Sequence, residues 1–234
     1  MQSKRFISFF IFFAIIILII SFFYSIPLSS AKNDKIKRID IVHYADPRMN
    51  GVGNFVRSSD CYSLLGIKPI IPINYTINPE NNQGIDKNFV VNAIRSSANT
   101  WDKAVGKKLF GNYEINYNVS NPWFDGKNSV VFSDIFLDTS LIGQISSFID
   151  TDTGSIIEFD MILNSKLPFG DATLNFSLMD IQNAITHEFG HGLGLGDVYD
   201  SQCSYVTMFG YGSFGETMKR TLEKPDVRGL KSIY

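Results

Sequence analysis

Residues 187–197 read HEFGHGLGLGD and fit the pattern H-E-x-x-H-x-x-G-x-x-D. His187 and His191 are four residues apart, so on a helix their imidazoles project from one face, one turn apart. That spacing lets two imidazole nitrogens converge on one Zn²⁺ ion. Glu188 follows the first histidine and is placed to take a proton from a metal-activated water. The stretch therefore predicts a zinc-binding helix that carries a catalytic carboxylate.

The end of this helix is predicted by Gly194, because glycine readily adopts the left-handed backbone conformation that stops a helix. The chain reversal that follows brings Asp197 towards the same ion as a third, anionic ligand. A fourth position then stays open for water and substrate, which distinguishes a catalytic zinc site from a structural one. The chain has only three histidines, and two of them lie in this motif, which argues against an accidental match.

The motif resembles that of the metzincin metalloproteases, and within them the matrixins, in the variant HExxHxxGxxD. A methionine follows at a suitable distance, and Met208 is similar to the methionine of the family's Met-turn. Residues 93–101, 180–186 and 222–234 also resemble parts of a matrixin catalytic domain. Most matrixins carry histidine where this chain has Asp197, so the carboxylate would add negative charge at the metal and make its water less acidic.

The resemblance implies a zinc-dependent endopeptidase that hydrolyses internal peptide bonds, with Glu188 as the general base. The implied metal ligands are His187, His191 and Asp197. Met208 would form an apolar floor beneath the metal, and the implied partner is a peptide or protein substrate. The vertebrate matrixins bind a second, structural zinc through additional histidines, which this chain lacks, so that site is not expected.

The alternative interpretation is a non-catalytic module, anchored in a membrane, that keeps zinc for structure. Structural zinc sites usually close with a fourth protein ligand, and Asp200 or Cys203 could supply one. Glu188 favours the enzyme, because a purely structural site has no need of a carboxylate at that position.

The predicted elements follow the order strand, helix, several strands, helix, loop and helix, which indicates an α+β fold. The resemblance refines this to a metzincin-like catalytic domain: a twisted mixed five-stranded sheet with three helices. Its cleft would lie along an edge strand, where an extended peptide can add to the sheet. Residues 155–163, the predicted strand nearest the zinc helix in sequence, are the candidate edge. Tyr211 and Phe214 are candidates for lining the pocket after the Met-turn.

The chain is expected to have three parts. Residues 1–31 contain an apolar run from Phe6 to Tyr24, which suits either a signal peptide or an uncleaved N-terminal membrane anchor. Residues 32–65 are polar and rich in turn residues, which indicates a stalk or a short pro-segment. Residues 66–234 are the expected catalytic domain. His43 falls in the predicted stalk and is expected to be an ordinary exposed histidine.

Charge and flanking residues bear on partners and location. The net charge of −2 gives no electrostatic case for nucleic-acid binding. Four basic residues in 32–38 follow the apolar run, against two before it, which by itself favours a cytoplasmic C-terminal part. The start of the chain and the resemblance to secreted proteases favour export. We therefore expect a secreted or membrane-anchored protein with its catalytic domain outside the cell.

The chain has two cysteines, Cys61 and Cys203. In an exported protein, a disulfide between them is the favoured hypothesis. One alternative is a latency switch, in which the Cys61 thiolate takes the open zinc position, although its surroundings differ from the matrixin switch sequence. A pair of free thiols is the other alternative.

A turn with the sequence DTDTG at residues 150–154 invites a calcium interpretation, since matrixins use such loops for Ca²⁺. Calcium takes six to eight oxygen ligands, and the carboxylates of Asp150 and Asp152 alone are too few. An Asx-type hairpin turn is therefore the favoured interpretation, with calcium as the alternative.

Overall fold

The computed structural model describes residues 35–45, 60–120 and 123–234. The predicted signal peptide or anchor lies outside these residues, as does much of the predicted stalk. Within the described part of the chain, no helix combines the length and the apolar character that a bilayer span needs.

The described residues contain three α-helices, namely α1 (Lys87–Val105), α2 (Ile181–Gly192) and α3 (Lys224–Ile233). Short 3₁₀ helices occur at Ser201–Cys203 and Met218–Arg220. The strands, in chain order, are β1 (Ile36–Tyr44), β2 (Ser63–Leu64), β3 (Lys68–Pro69), β4 (Ile73–Ile77), β5 (Phe110–Ile115), β6 (Asn128–Ser133), β7 (Leu141–Asp150), β8 (Ser155–Asn164), β9 (Phe169–Gly170), β10 (Met179–Asp180) and β11 (Leu195–Gly196).

The main sheet is mixed and has seven strands, in the order β1-β7-β8-β6-β4-β5, with β3 paired to β8. Strands β4, β5, β6 and β8 run parallel to their neighbours in that group, whereas β7 runs antiparallel to both β8 and β1. The α+β class and the three helices are confirmed among the described residues. The prediction of five strands was wrong, because β1 and β3 also belong to the sheet.

Strand β1 lies within residues 32–65, the segment predicted to be a stalk or a short pro-segment, and shows that part of this segment belongs to the sheet. Its nine residues all pair with β7, from Ile36 opposite Asp150 to Tyr44 opposite Leu141. The side chains of Ile39 and Ile41 pack against the main core, because alternate residues of a strand share a face. This segment is therefore an outer strand of the sheet.

The position of β8 corrects a second prediction. Residues 155–163 were the candidate edge for peptide binding, but β8 lies between β7 and β6 inside the sheet. Most of its residues are buried, including those that point to opposite faces, which is typical of an interior strand. The sheet edge nearest the metal motif is therefore formed by other residues.

Helix α1 packs beside α2 and supports the start of the histidine motif. The carboxylate of Asp86 accepts a hydrogen bond from Phe89 N at 2.8 Å and caps α1. Trp101 is fully buried, and its indole Nε1 donates to the carbonyl oxygen of Thr186 at 2.8 Å. Because Thr186 directly precedes His187, this bond fixes the backbone from which the first imidazole projects.

Candidate metal centre

Helix α2 places the two motif histidines, and its ends are fixed by specific residues. Asp180 caps its start by accepting a hydrogen bond from Asn183 N at 2.9 Å, and the same carboxylate pairs with Arg220. The chain turns after α2 at Gly194, whose φ of +100° favours glycine. A Cβ atom there would lie 2.3 Å from the carbonyl oxygen of Ile67, so glycine is also required by space.

This turn brings three ligand atoms together. The Nε2 atoms of His187 and His191 are 3.1 Å apart. The Asp197 Oδ1 atom lies 3.3 Å from the first and 3.4 Å from the second. A tetrahedral zinc site with bonds of about 2.05 Å has edges of about 3.3 Å between ligand atoms. The three atoms therefore form one face of such a tetrahedron, and they form a group that can hold a metal ion.

The outer nitrogens of both imidazoles are occupied by backbone carbonyls. His187 Nδ1 lies 2.8 Å from the carbonyl oxygen of Thr207, and His191 Nδ1 lies 2.9 Å from that of Leu195. A carbonyl only accepts, so each Nδ1 carries a proton, and a ring that is neutral directs the lone pair of its Nε2 inward. With both rings neutral, two lone pairs and a carboxylate oxygen converging at this distance repel one another, so the group needs either a cation or an additional proton between them.

The pKa values of Asp197 and His191 also indicate that this group needs a positive charge. Burial opposes ionisation of Asp197, but the neighbouring imidazoles hold the pKa of its carboxyl well below the ordinary value. Burial also disfavours a charged His191, yet Asp197 raises the pKa of that imidazole to about 9. The Asp197 Oδ1 atom is buried and has no hydrogen-bond partner. Without a metal, the group therefore retains a proton, which a bound cation would displace.

Glu188 lies beside this group without belonging to it. Its side chain is fully buried, and neither Oε1 nor Oε2 has a hydrogen-bond partner. Burial raises the pKa of its carboxyl to about 7, which is close to the value that suits a general base near neutral pH. Unpartnered buried carboxylate oxygens are costly to leave, so this position is suited to a bound water or substrate group.

Met208 packs against helix α2 between the two motif histidines. A Cβ atom at Gly190, between the two histidines, would lie only 2.2 Å from Met208 Sδ. The backbone N–H groups of Thr207 and Met208 both donate to the buried carboxylate of Asp226, at 3.0 and 3.1 Å. The turn that carries Met208 is thus held by α3.

His43 is the residue at this site that sequence reasoning missed. It was expected to be exposed, but it is only 2% exposed and its ring stacks on His187, with 4.0 Å between ring centroids. Its Nδ1 atom is 3.5 Å from Glu188 Oε1. The expectation failed because a lone histidine in a polar segment carries no local signal for a pairing across some hundred residues with β7.

The two cysteines form a disulfide in this structure, with 5.4 Å between their Cα atoms. Cys203 is therefore not a fourth metal ligand, and the Cys61 thiolate of the latency hypothesis is not present. Cys203 packs with Val198 and Val206, so the bond ties the segment before β2 to the loop between Asp197 and Met208.

The predicted calcium residues lie in an ordinary turn. Asp150 Oδ1 accepts hydrogen bonds from the backbone N–H groups of Asp152 and Thr153, which is the geometry of an Asx turn. The Asp152 carboxylate pairs with Lys35 at 2.8 Å. Neither carboxylate belongs to a metal-binding group of three among the residues that the structure describes.

The two residues predicted to line a pocket after Met208 differ in their placement. The backbone of Tyr211 pairs with Tyr44 in a parallel bridge close to the metal group. The side chain of Phe214 is 46% exposed.

Comparison with protein-family models and with curated proteins gave no match to this chain.

Proposed function

We propose that this chain is a zinc-dependent endopeptidase that hydrolyses internal peptide bonds. The observation that carries the proposal is the convergence of His187 Nε2, His191 Nε2 and Asp197 Oδ1 at 3.1–3.4 Å, beside a buried and unpartnered Glu188 carboxylate. The donor set, two neutral imidazoles and one carboxylate, suits zinc, and three protein ligands are the number found at catalytic zinc sites. The metzincin assignment, in its matrixin-like form, is part of this proposal.

Zn²⁺ in this group would polarise the scissile carbonyl and acidify a water molecule. Glu188 would accept the proton of that water at Oε1 or Oε2 and later deliver it to the leaving amine. In the metal-free group, burial raises the pKa of this carboxyl above its ordinary value, which makes Glu188 a stronger base than an exposed carboxylate. Thr207 and Leu195 would hold the two imidazoles in the tautomer that exposes Nε2.

The non-catalytic alternative, a module with a structural zinc ion, has less support. Its fourth ligand was sought at Cys203 or Asp200, and Cys203 is bonded to Cys61. Among the described residues, the group that includes Asp197 has three members and no fourth.

Location outside the cell and membrane attachment through residues 6–24 remain proposals, which protease protection of intact cells would test.

The test combines metal analysis with digestion of casein and gelatin by the purified full-length chain. We expect about one zinc ion per chain, loss of digestion with a chelator and recovery after zinc is added. A Glu188→Gln chain should bind zinc equally well and lose digestion. Digestion that survives in this variant would contradict the mechanism. Zinc binding without digestion by either the parent chain or its His43→Gly variant would favour the structural alternative.

A further inference from the structure

The end of β1 passes between two parts of the chain beside the metal ligands. On one side, His43 pairs with Gly143 of β7. On the other side, Tyr44 forms a parallel bridge with Tyr211, and its carbonyl oxygen accepts a hydrogen bond from Gly212 N at 2.9 Å. An extended segment held by backbone hydrogen bonds at a sheet edge is a recurring way in which proteins bind peptides.

A glycine on the far side of β1 leaves room for the His43 ring. A Cβ atom at Gly212 would lie 2.7 Å from Ile142 Cδ1 and 3.3 Å from His43 Nε2. The position of Gly212 therefore excludes larger residues and keeps the space for the His43 ring open. Gly143, opposite His43, is also confined, but by β8, because a Cβ atom there would lie 2.9 Å from the carbonyl oxygen of Ile162.

The His43 side chain fills a buried pocket between the metal group and Lys219. One face of the ring stacks on His187, with the two planes 23° apart. Nδ1 points towards Glu188, and Nε2 lies 3.3 Å from Lys219 Nζ. The ring thus occupies the space next to a proposed metal ligand and the proposed general base.

Lys219 forms the floor of this pocket and is only 1% exposed. Its ammonium group has three hydrogens to donate. Two donate to the carbonyl oxygens of Phe209 and Tyr211, at 2.7 and 2.6 Å. The third faces His43 Nε2, and the nearest carboxylate, that of Glu216, is 3.9 Å away. Any side chain that replaces His43 must therefore meet a buried donor.

The neighbours of Lys219 hold it in this position. Its backbone N–H donates to Asn183 Oδ1 of α2 at 2.7 Å. The next residue, Arg220, donates from Nε to the cap residue Asp180 at 2.7 Å. The 3₁₀ helix Met218–Arg220 is therefore fixed to the start of the zinc helix, and the ammonium group cannot turn away without breaking these contacts.

We propose that β1 is an internal ligand lying in the place of a peptide substrate, and that Lys219 selects the side chain entering the His43 pocket. The selected class is a side chain that accepts a hydrogen bond at its end. Glu and Gln fit best, because their Oε atoms lie as many bonds from Cβ as Nε2 does in histidine. This inference rests on the proposed peptidase function, because only a peptidase has a peptide substrate to select. The binding of β1 in the His43 pocket can be measured whether or not the chain is a peptidase.

A peptide-exchange experiment tests the proposal without turnover. In the full-length Glu188→Gln chain, the recognition sequence of a site-specific protease replaces residues 50–55, and cleavage there separates β1 from the remainder. A fluorescent peptide that copies residues 36–45 is added, with His, Glu, Gln, Leu or Lys at the position of His43. We expect the Glu and Gln peptides to bind at least as well as the His peptide, and the Leu peptide roughly tenfold more weakly.

The variant Lys219→Met in the same cleaved chain should remove this preference, so that the Leu peptide binds at least as tightly as the Glu peptide. Lys224→Met, at an exposed position on α3, is the matched control and should retain it. If Lys219→Met does not fold, the relative affinities of the five peptides for the cleaved Glu188→Gln chain still test the proposal. Absence of exchange with any peptide, or equal binding of the Glu, Leu and Lys peptides, would overturn the proposal.

Digestion assays separate this proposal from the proposed function. Full-length His43→Gly should digest casein faster than the parent chain, and mass spectrometry of the products should find Glu or Gln at one fixed position relative to the cut. Selective peptide binding without digestion by any variant would leave the proposal standing and contradict the peptidase. Digestion with cuts indifferent to Glu and Gln would leave the peptidase standing and contradict the proposal.

Discussion

His187 Nδ1 donates to the carbonyl oxygen of Thr207 at 2.8 Å, which joins helix α2 to the turn that carries Met208. The same turn is held by Asp226, whose carboxylate also accepts from Glu223 N at 2.8 Å at the start of α3. The orientation of the first imidazole therefore depends on the C-terminal helix, some forty residues further along the chain.

Replacing Asp226 with alanine should disturb both stability and metal binding. The change leaves the buried N–H groups of Thr207 and Met208 without an acceptor, which should lower the free energy of unfolding by about 3 kcal/mol. The loosened turn should weaken zinc affinity roughly tenfold. Urea unfolding and competition with a chromogenic chelator measure the two effects.

The matched control is Asp152→Ala, which removes a carboxylate from an exposed pair with Lys35. We expect a cost below about 1 kcal/mol and unchanged zinc affinity. If Asp226→Ala behaved like this control, the Met208 turn would not depend on α3 for its position.

Asp197 and Asp200 offer a comparison that tests the ligand set. Asp197 Oδ1 lies within 3.4 Å of both imidazole nitrogens, whereas Asp200 caps the 3₁₀ helix Ser201–Cys203 through a hydrogen bond from Gln202 N. We expect Asp197→Ala to weaken zinc binding at least tenfold, and Asp200→Ala to leave it unchanged. Isothermal titration with Zn²⁺ measures both. Equal losses in the two variants would show that Asp200 closes the site and would favour a structural zinc.

The local parts of this fold could be predicted from the sequence, and the long-range parts could not. Helix α1, with its cap at Asp86, and the turn at Gly194 depend on residues close together in the chain, so their signals are local. The convergence of Asp197 on the histidines followed from motif spacing. The pairing of β1 with β7 joins segments about a hundred residues apart, and neither segment alone carries a sequence signal for it.

The prediction that residues 155–163 form a sheet edge failed for the same reason. Proximity of β8 to α2 in sequence was taken as proximity to the cleft, but sequence neighbours need not be edge neighbours in a mixed sheet. A signal for the interior position did exist: residues 155–164, SIIEFDMILN, are largely apolar rather than alternating, as expected for a strand covered on both faces. Lys219 was missed because nothing near it in sequence indicates burial.

The disulfide between Cys61 and Cys203 should contribute measurably to stability, since it closes a loop between residues 142 positions apart. In the chain-entropy model a loop of this length contributes about 5 kcal/mol, and natural disulfides commonly give 2–5 kcal/mol. We expect the Cys61→Ser, Cys203→Ser double variant to unfold at lower urea concentration by a corresponding amount. Alkylation of the unreduced parent, followed by mass analysis, should leave its mass unchanged. An alkylated parent would show that the two thiols are free.

Asp160 should make stability depend on pH independently of the metal group. Its side chain is buried in β8, where Ser129 donates to Oδ1 and Oδ2 has no partner. Burial raises the pKa of this carboxyl to about 7 from an ordinary value of 3.8. Between these values the folded chain binds the proton more tightly than the unfolded chain, so the contribution of Asp160 to stability falls as pH rises through that window.

Asp160→Asn cannot ionise and should escape this loss, so it should be more stable than the parent near pH 8 and should lose that advantage near pH 4. Urea unfolding in the presence of a chelator measures the difference without the pH dependence of metal binding. Asp138→Asn is a control of opposite sign, because hydrogen bonds from Ser140 hold the pKa of the Asp138 carboxyl below its ordinary value. That variant should lose stability at neutral pH and recover it as pH falls. A parent and an Asp160→Asn chain that differ equally at both pH values would show that the Asp160 carboxyl does not take up a proton on folding.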